Sequence, residues 1–216
     1  MASPAAAQRP APPRSAPAPR PVPRPIPEPS ISFRPFVMGT EQAFAAVQTF
    51  KAIFGQNYEP FFGGGVQVVF HGTYFVEIDA SRFQKTGQRA FRNNGQNFSL
   101  GIPLTATITP LEITGGYRFR PRYMPRVRPF VAAGIGSYMY KETSTSSDAG
   151  ENVDTRHQGV LATGGVEFRL HKWVGLSGDV TYTHVTGILG TGGISKDVGE
   201  SDLGGVAGRI KLIIGR

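Results

Sequence analysis

The sequence predicts an all-β chain: eight antiparallel strands, running up and down, closed into a transmembrane β-barrel with a short helix in the first long connection. Three observations carry this. Residues 159–185 form two strands with a period of two, joined by a turn at His171-Lys172. Val160, Ala162, Gly164, Val166, Phe168 and Leu170 fall on one face, with Thr163, Glu167 and Arg169 on the other. Connections are long after strands one, three, five and seven and short after two, four and six, which puts all long loops at one end. The strands also reach the roughly 9–11 residues that a tilted strand needs to cross a bilayer.

Composition narrows the class. The chain has 216 residues, enough for one sizeable core. Its first thirty residues differ: 11 of the 18 prolines lie there, with Arg9, Arg14, Arg20 and Arg24 against Glu28 alone. Such a segment lacks apolar surface to bury and is expected as an extended, polyproline-like disordered arm, leaving 31–216 as the barrel domain. The net charge of +8 sits partly in that arm and partly at Arg118, Arg120, Arg122, Arg126 and Arg128. No nucleic-acid-binding motif accompanies it, so nucleic acid is not an expected partner. The absence of cysteine removes disulfides and thiolate metal sites. No run of about 18 apolar residues suggests a membrane helix, and Met1–Gln8 lacks the charged and apolar regions of a signal peptide.

In chain order, strand one covers Ile31–Thr40. Residues 41–54 (EQAFAAVQTFKAIF) switch to helical spacing, with Thr40 as N-cap and Gly55 as stop, and predict an amphipathic helix that plugs or lids the barrel. Strand two spans Gly64–His71 and strand three Tyr74–Phe83, where Phe75, Glu77, Asp79 and Ser81 oppose Tyr74, Val76, Ile78 and Ala80. Lys85–Gly101 is expected as a polar loop. Strand four, Leu104–Arg120, shifts its apolar phase from Leu104, Ala106 and Ile108 to Leu111 and Ile113, which predicts a β-bulge at Thr109-Pro110. Strand five is Val127–Lys141, rich in Ala and Gly. A polar loop over 142–157 leads to the hairpin, a glycine-rich loop over 187–202 follows, and strand eight is Leu203–Ile214.

The runs IPLTATITPLEITGGYRFRP, RVRPFVAAGIGSYMYKETS and GGVEFRLHKWVGLSGDVTYTHV, spread over residues 31–216, resemble the small outer-membrane β-barrel proteins of the OmpA/OmpW-like eight-stranded group. The resemblance implies a bacterial outer-membrane location, outer-membrane lipids and lipopolysaccharide as partners, and no cofactor.

An eight-stranded barrel is just wide enough to be filled by side chains. With the apolar face toward lipid, the lumen receives Glu77, Asp79, Glu112, Glu167 and Asp179 together with Arg118, Arg169, Arg209 and Lys211. This near-balance is what burial of charge requires. Tyr117, Phe119, Tyr123 and Trp173, with the neighbouring arginines, fit an interfacial girdle at the short-turn end. The arm leaves from the same end and would reach the cell wall or a periplasmic protein. Asp197, Glu200 and Asp202 form an oxygen-rich set of the kind that holds calcium or magnesium, although without EF-hand spacing; a solvated loop, or one bridging to lipopolysaccharide, is the competing reading. No His-x-Ser pair occurs, and no enzymatic activity is expected. The expected function is an integral outer-membrane barrel, structural or adhesive, with a closed, salt-bridged interior. The alternatives are a transporter or channel for small hydrophobic compounds gated by the helix, and a soluble lipocalin-like ligand-binding barrel with the faces reversed.

Overall fold

A computed structural model of the chain describes residues 30–93, 96–144, 153–190 and 193–215. In order these form β1 (Ile31–Phe44), α1 (Val47–Phe54), β2 (Tyr58–Phe70), β3 (Tyr74–Asn93), β4 (Gln96–Arg118), β5 (Val127–Ser144), β6 (Val153–His171), β7 (Val174–His184), α2 (Gly193–Val198) and β8 (Gly205–Ile214). Each strand pairs antiparallel with the next. β8 then returns to β1, from Phe36↔Ile213 to Phe44↔Gly205, closing an eight-stranded up-and-down barrel. Closure leaves the barrel body no unpaired sheet edge.

The period of two holds through the pleat and decides which way each side chain points. On β7, Ser177, Asp179, Thr181 and Thr183 are buried while Leu176, Val180 and Tyr182 stand outside. On β8, Ala207, Arg209, Lys211 and Ile213 are buried while Val206, Ile210, Leu212 and Ile214 are exposed. Charge inside and aliphatic side chains outside is the reverse of a lipocalin-like barrel.

Several boundaries differ from the sequence reading. The helix is shorter than 41–54, because Glu41–Phe44 continue β1 and pair with both β2 and β8. Thr40 therefore lies within a strand and Ala46 occupies the N-cap, with no side-chain cap of its own. Gly55 does end the helix, at φ 79° with its N–H bonded to Lys51 O at 3.0 Å. The expected loop over Lys85–Gly101 is instead a long hairpin, β3 and β4 continuing their pairing to Asn93↔Gln96. Its strand character is masked in the sequence because both faces there carry polar residues, such as Thr86 and Gln88 on one side and Lys85 on the other.

No bulge occurs at Thr109-Pro110: the β4–β5 register runs unbroken from Leu104↔Ser144 to Arg118↔Phe130. Leu104, Ala106, Ile108, Pro110, Glu112 and Thr114 all point inward. The phase shift in the sequence marks a change in what fills the lumen, from apolar near the long-loop end to charged below it. The Pro-rich arm and residues 145–152 lie outside the described residues.

The short-turn end is tightly tied. His71 and Gly72 both have positive φ (49° and 64°) in the three-residue turn 71–73, which the Thr73 N–H closes on Phe70 O at 3.0 Å. Cross-links join neighbouring turns: Arg118 N–H to Thr73 O (2.7 Å), Arg169 N–H to Arg126 O (2.8 Å) and Gly215 N–H to Trp173 O (2.9 Å).

Candidate functional site in the barrel interior

The lumen has two layers. At the long-loop end α1 lies in the barrel mouth, and Phe50 stacks on Phe44 with ring centroids 3.8 Å apart. Phe61, Phe83, Ile108, Tyr138, Tyr140, Val185 and Leu203 complete this apolar cluster. The missing helix cap comes from the β7–β8 connection: Glu200 accepts from Gln48 N–H (2.9 Å), Thr49 N–H (2.8 Å) and the Thr49 hydroxyl (2.7 Å). A carboxylate there satisfies two free N–H groups and complements the positive end of the helix dipole.

Below the plug lies the charged layer. Glu167 sits between Arg34 (2.5 and 3.0 Å) and Arg118 (2.7 Å). Arg34 also donates to Gln67 (2.8 Å), whose amide donates to Glu77 (3.0 Å). Glu77 accepts from Lys211 at 2.6 Å, and Lys211 lies 3.4 Å from Asp179. Nearer the plug, Glu112 accepts from Arg209 and from the Tyr138 hydroxyl, both at 2.7 Å. These contacts draw on all eight strands. Glycines make the room: a Cβ on Gly175 would lie 3.1 Å from Glu167 Oε1 and 3.5 Å from Arg34 Nη2.

In mid-lumen the buried carboxylates Glu77, Asp79, Glu112, Glu167 and Asp179 face the buried cations Arg34, Arg118, Arg128, Arg209 and Lys211, five against five. A buried charge without a partner costs several kcal/mol, so this equality is what lets so much charge be buried in so narrow a tube. Asp79 is the least supported member. It lies opposite Glu112 in the β3–β4 register, and its Oδ2 is buried without a hydrogen-bond partner. A sixth carboxylate, Glu59, lies nearer the long-loop end and is held by Lys85 at 2.6 Å.

The chain matches no protein-family model and no curated protein. Among solved structures it is similar to Ail, the attachment invasion locus protein of Yersinia pestis, in complex with the heparin analogue sucrose octasulfate. That match has TM-score 0.50 and 12% identity, over 86% of this chain and 97% of that one. It is also similar to the N-terminal β-barrel domain of Pseudomonas aeruginosa OprF (TM-score 0.48, 11% identity, 86% and 97% covered) and to the outer membrane protein OprG from the same species (0.48, 10%, 86% and 93%). The fold is that of the small outer-membrane barrels.

Within this barrel the nine lumen residues expected from the sequence point inward, with Arg169 only half-buried near the short-turn end. Sequence reasoning missed Arg34, Gln67, Arg128 and Tyr138. Arg34 shares the face opposite Ile31 and Phe33, a signal that Pro35 obscured. The basic cluster at the short-turn end divides. Arg118 and Arg128 turn into the lumen, Arg120 donates to His71 O (2.6 Å) and Gly72 O (3.2 Å), and Arg122 and Arg126 are exposed. Tyr117, Phe119, Tyr123 and Trp173 all stand on the outer surface at that end, with Tyr117 packed against Tyr74 and Phe119 at 5.4 and 4.9 Å. The acidic set of the last loop does not converge. Glu200 caps α1, Asp202 binds His184 and two backbone N–H groups, and Asp197 faces solvent. Among the described residues no three His, Cys, Asp or Glu side chains come together as a metal site.

Proposed function

We propose that this chain is an integral protein of the bacterial outer membrane. Its barrel is a closed anchor, and the sheet that rises above the rim is an adhesive element. The observation that carries the reading is the inversion of polarity: an aliphatic exterior around a charge-balanced, hydrogen-bonded interior. Aliphatic side chains around the whole circumference would be costly in water and favourable in lipid. The exposed aromatics of the short-turn end, with Arg122 and Arg126 just beyond them, suit the girdle at a membrane–water boundary. In this orientation the short turns face the periplasm, and so would the arm.

The adhesive part rests on the register. The β2–β3 ladder stops at Phe62↔Arg82, and β6–β7 pairing begins only at Val160↔His184. β3, β4, β5 and β6 thus continue upward as a separate four-stranded sheet. Its inner side packs on α1 and α2 through Ala90, Leu104, Ile53 and Ile194, while Phe98 and Leu100 are exposed. Exposed strand edges and apolar side chains on a stiff projection suit capture of another chain by strand addition.

Two measurements test this. The refolded protein should require detergent and show a heat-modifiable gel mobility; full solubility without detergent would refute the membrane reading. Replacing residues 89–102 by an Asn-Gly turn should leave heat-modifiable mobility intact and abolish attachment of cells displaying the protein. A transporter, by contrast, would show measurable flux in liposomes that changes when the helix alone, residues 47–54, is deleted.

A further inference from the structure

We infer that the junction between the apolar plug and the charged layer is a binding site for one water molecule, held between Thr40 and Arg209. A cavity of about 20 Å³ lies there. Phe44, Phe61 and Leu203 face it from the plug, and Glu112, Tyr138 and Arg209 face it from the charged layer. The space just exceeds the roughly 10–15 Å³ that one water needs, so it admits a single water and excludes organic solutes.

Two polar atoms of this wall point to the ligand. Thr40 and Arg209 are direct partners in the β1–β8 ladder, and both side chains face the cavity. Thr40 is 9% exposed and Arg209 7%. Thr40 Oγ1 and Arg209 Nε are themselves fully buried, and neither has a hydrogen-bond partner among the described residues. Another nitrogen of the same guanidinium is already engaged, since Nη2 donates to Glu112 Oε2 at 2.7 Å. Buried polar groups are nearly always satisfied, because leaving one unpaired forfeits its hydration with nothing in return. Here the two orphaned atoms belong to one register pair and look into one water-sized space.

The chemistry of the pair selects water over an ion. Arg209 Nε is a donor and needs an acceptor. A cation offers it no lone pair and would lie against a guanidinium. An anion would accept from Nε but would also face the Glu112 carboxylate, beside which Asp79 stands in the β3–β4 register. Water accepts from Nε–H and donates to Thr40 Oγ1, while Gln42, Ser81 and Thr183 bring further amide and hydroxyl groups to the same wall. The water thereby ties β1 to the hydrogen-bonded chain of Arg209, Glu112 and Tyr138. One isolated water is not a file of waters: it hydrates the junction without opening a path along the lumen.

The test uses the full-length protein refolded in detergent and has two arms. In the first, high-resolution crystal structures are determined with rubidium or bromide in the solution, since anomalous scattering separates either ion from water. The expected result is one peak within hydrogen-bond distance of both Thr40 Oγ1 and Arg209 Nε, with no anomalous signal. A dry cavity, or a rubidium or bromide peak at that position, overturns the proposal. The second arm compares urea midpoints of wild type, Thr40→Val and Thr40→Ser, with heat-modifiable mobility reporting that each is folded. Thr40→Val keeps the shape and removes the hydroxyl. If that hydroxyl has no partner, its loss leaves the midpoint unchanged or raises it; if it holds a water, the midpoint falls. A lower midpoint is expected for Thr40→Val, with a smaller shift for Thr40→Ser, which keeps the hydroxyl. A Thr40→Val barrel as stable as wild type, or more so, overturns the bridge.

Discussion

Glu167 holds more of the interior together than any other side chain described. It answers two guanidiniums at once, and it lies where Gly175 leaves no competing Cβ. Glu167→Gln keeps the shape but leaves Arg34 and Arg118 without a counter-charge, a loss on the order of 3–5 kcal/mol for a buried pair. The measurable outcome is a lower urea midpoint for unfolding from detergent micelles, with the folded gel mobility retained at zero denaturant. Glu112→Gln removes one ion pair, but its amide oxygen still accepts from Arg209 while the Tyr138 hydroxyl turns to accept from the amide NH2, and it should cost less. If the two variants unfold at the same midpoint, the ranking drawn from the geometry is wrong. At this scale the sequence was informative where parity alone decides direction, as for Glu77, Asp179 and Lys211. It was silent on Tyr138, whose hydroxyl is defined by a carboxylate 26 positions earlier on the neighbouring strand.

At the scale of elements, α1 is an eight-residue helix that needs tertiary support, since isolated helices this short are marginal in water. The support comes from Phe50 below and Glu200 at its N-terminus. Glu200→Ala should cost about 0.5–2 kcal/mol, the range of a lost cap. Phe50→Ala should cost about 3–5 kcal/mol, the range for a large buried aromatic. Limited proteolysis reads both: cleavage within 45–57 should appear in Phe50→Ala, more weakly in Glu200→Ala, and not in wild type. Cleavage that is equal in all three would show that the helix is not held as described. The sequence foretold this helix from its 3.6-residue spacing and its glycine stop. It could not foretell that Glu41–Phe44 stay in the strand, because only the partners on β2 and β8 decide that. Nor could it separate hairpin from loop over 85–101, where no apolar stripe marks a buried face.

For the whole molecule, the proposed closed interior rests on the apolar plug and the paired charge layer lying in series along the lumen. The expected outcome in planar bilayers is no steady conductance from wild type. Arg209→Glu would place two carboxylates face to face beside Asp79 and should yield a leak or a strongly destabilised barrel; a quiet, fully stable variant would contradict the described packing. The architecture was legible because eight alternating segments and sorted connections leave few alternatives, whereas the sheet above the rim depends on where ladders stop, which no single strand records. The cap on α1 also bears on assembly order. Glu200 is 151–152 residues downstream of the N–H groups it receives, beyond seven of the eight strands. The N-terminal end of the helix can therefore be capped only by the segment that leads into β8, the strand that also closes the barrel on β1 and carries Arg209 and Lys211, so that seating the plug, closing the tube and completing the charged lining are one event rather than three.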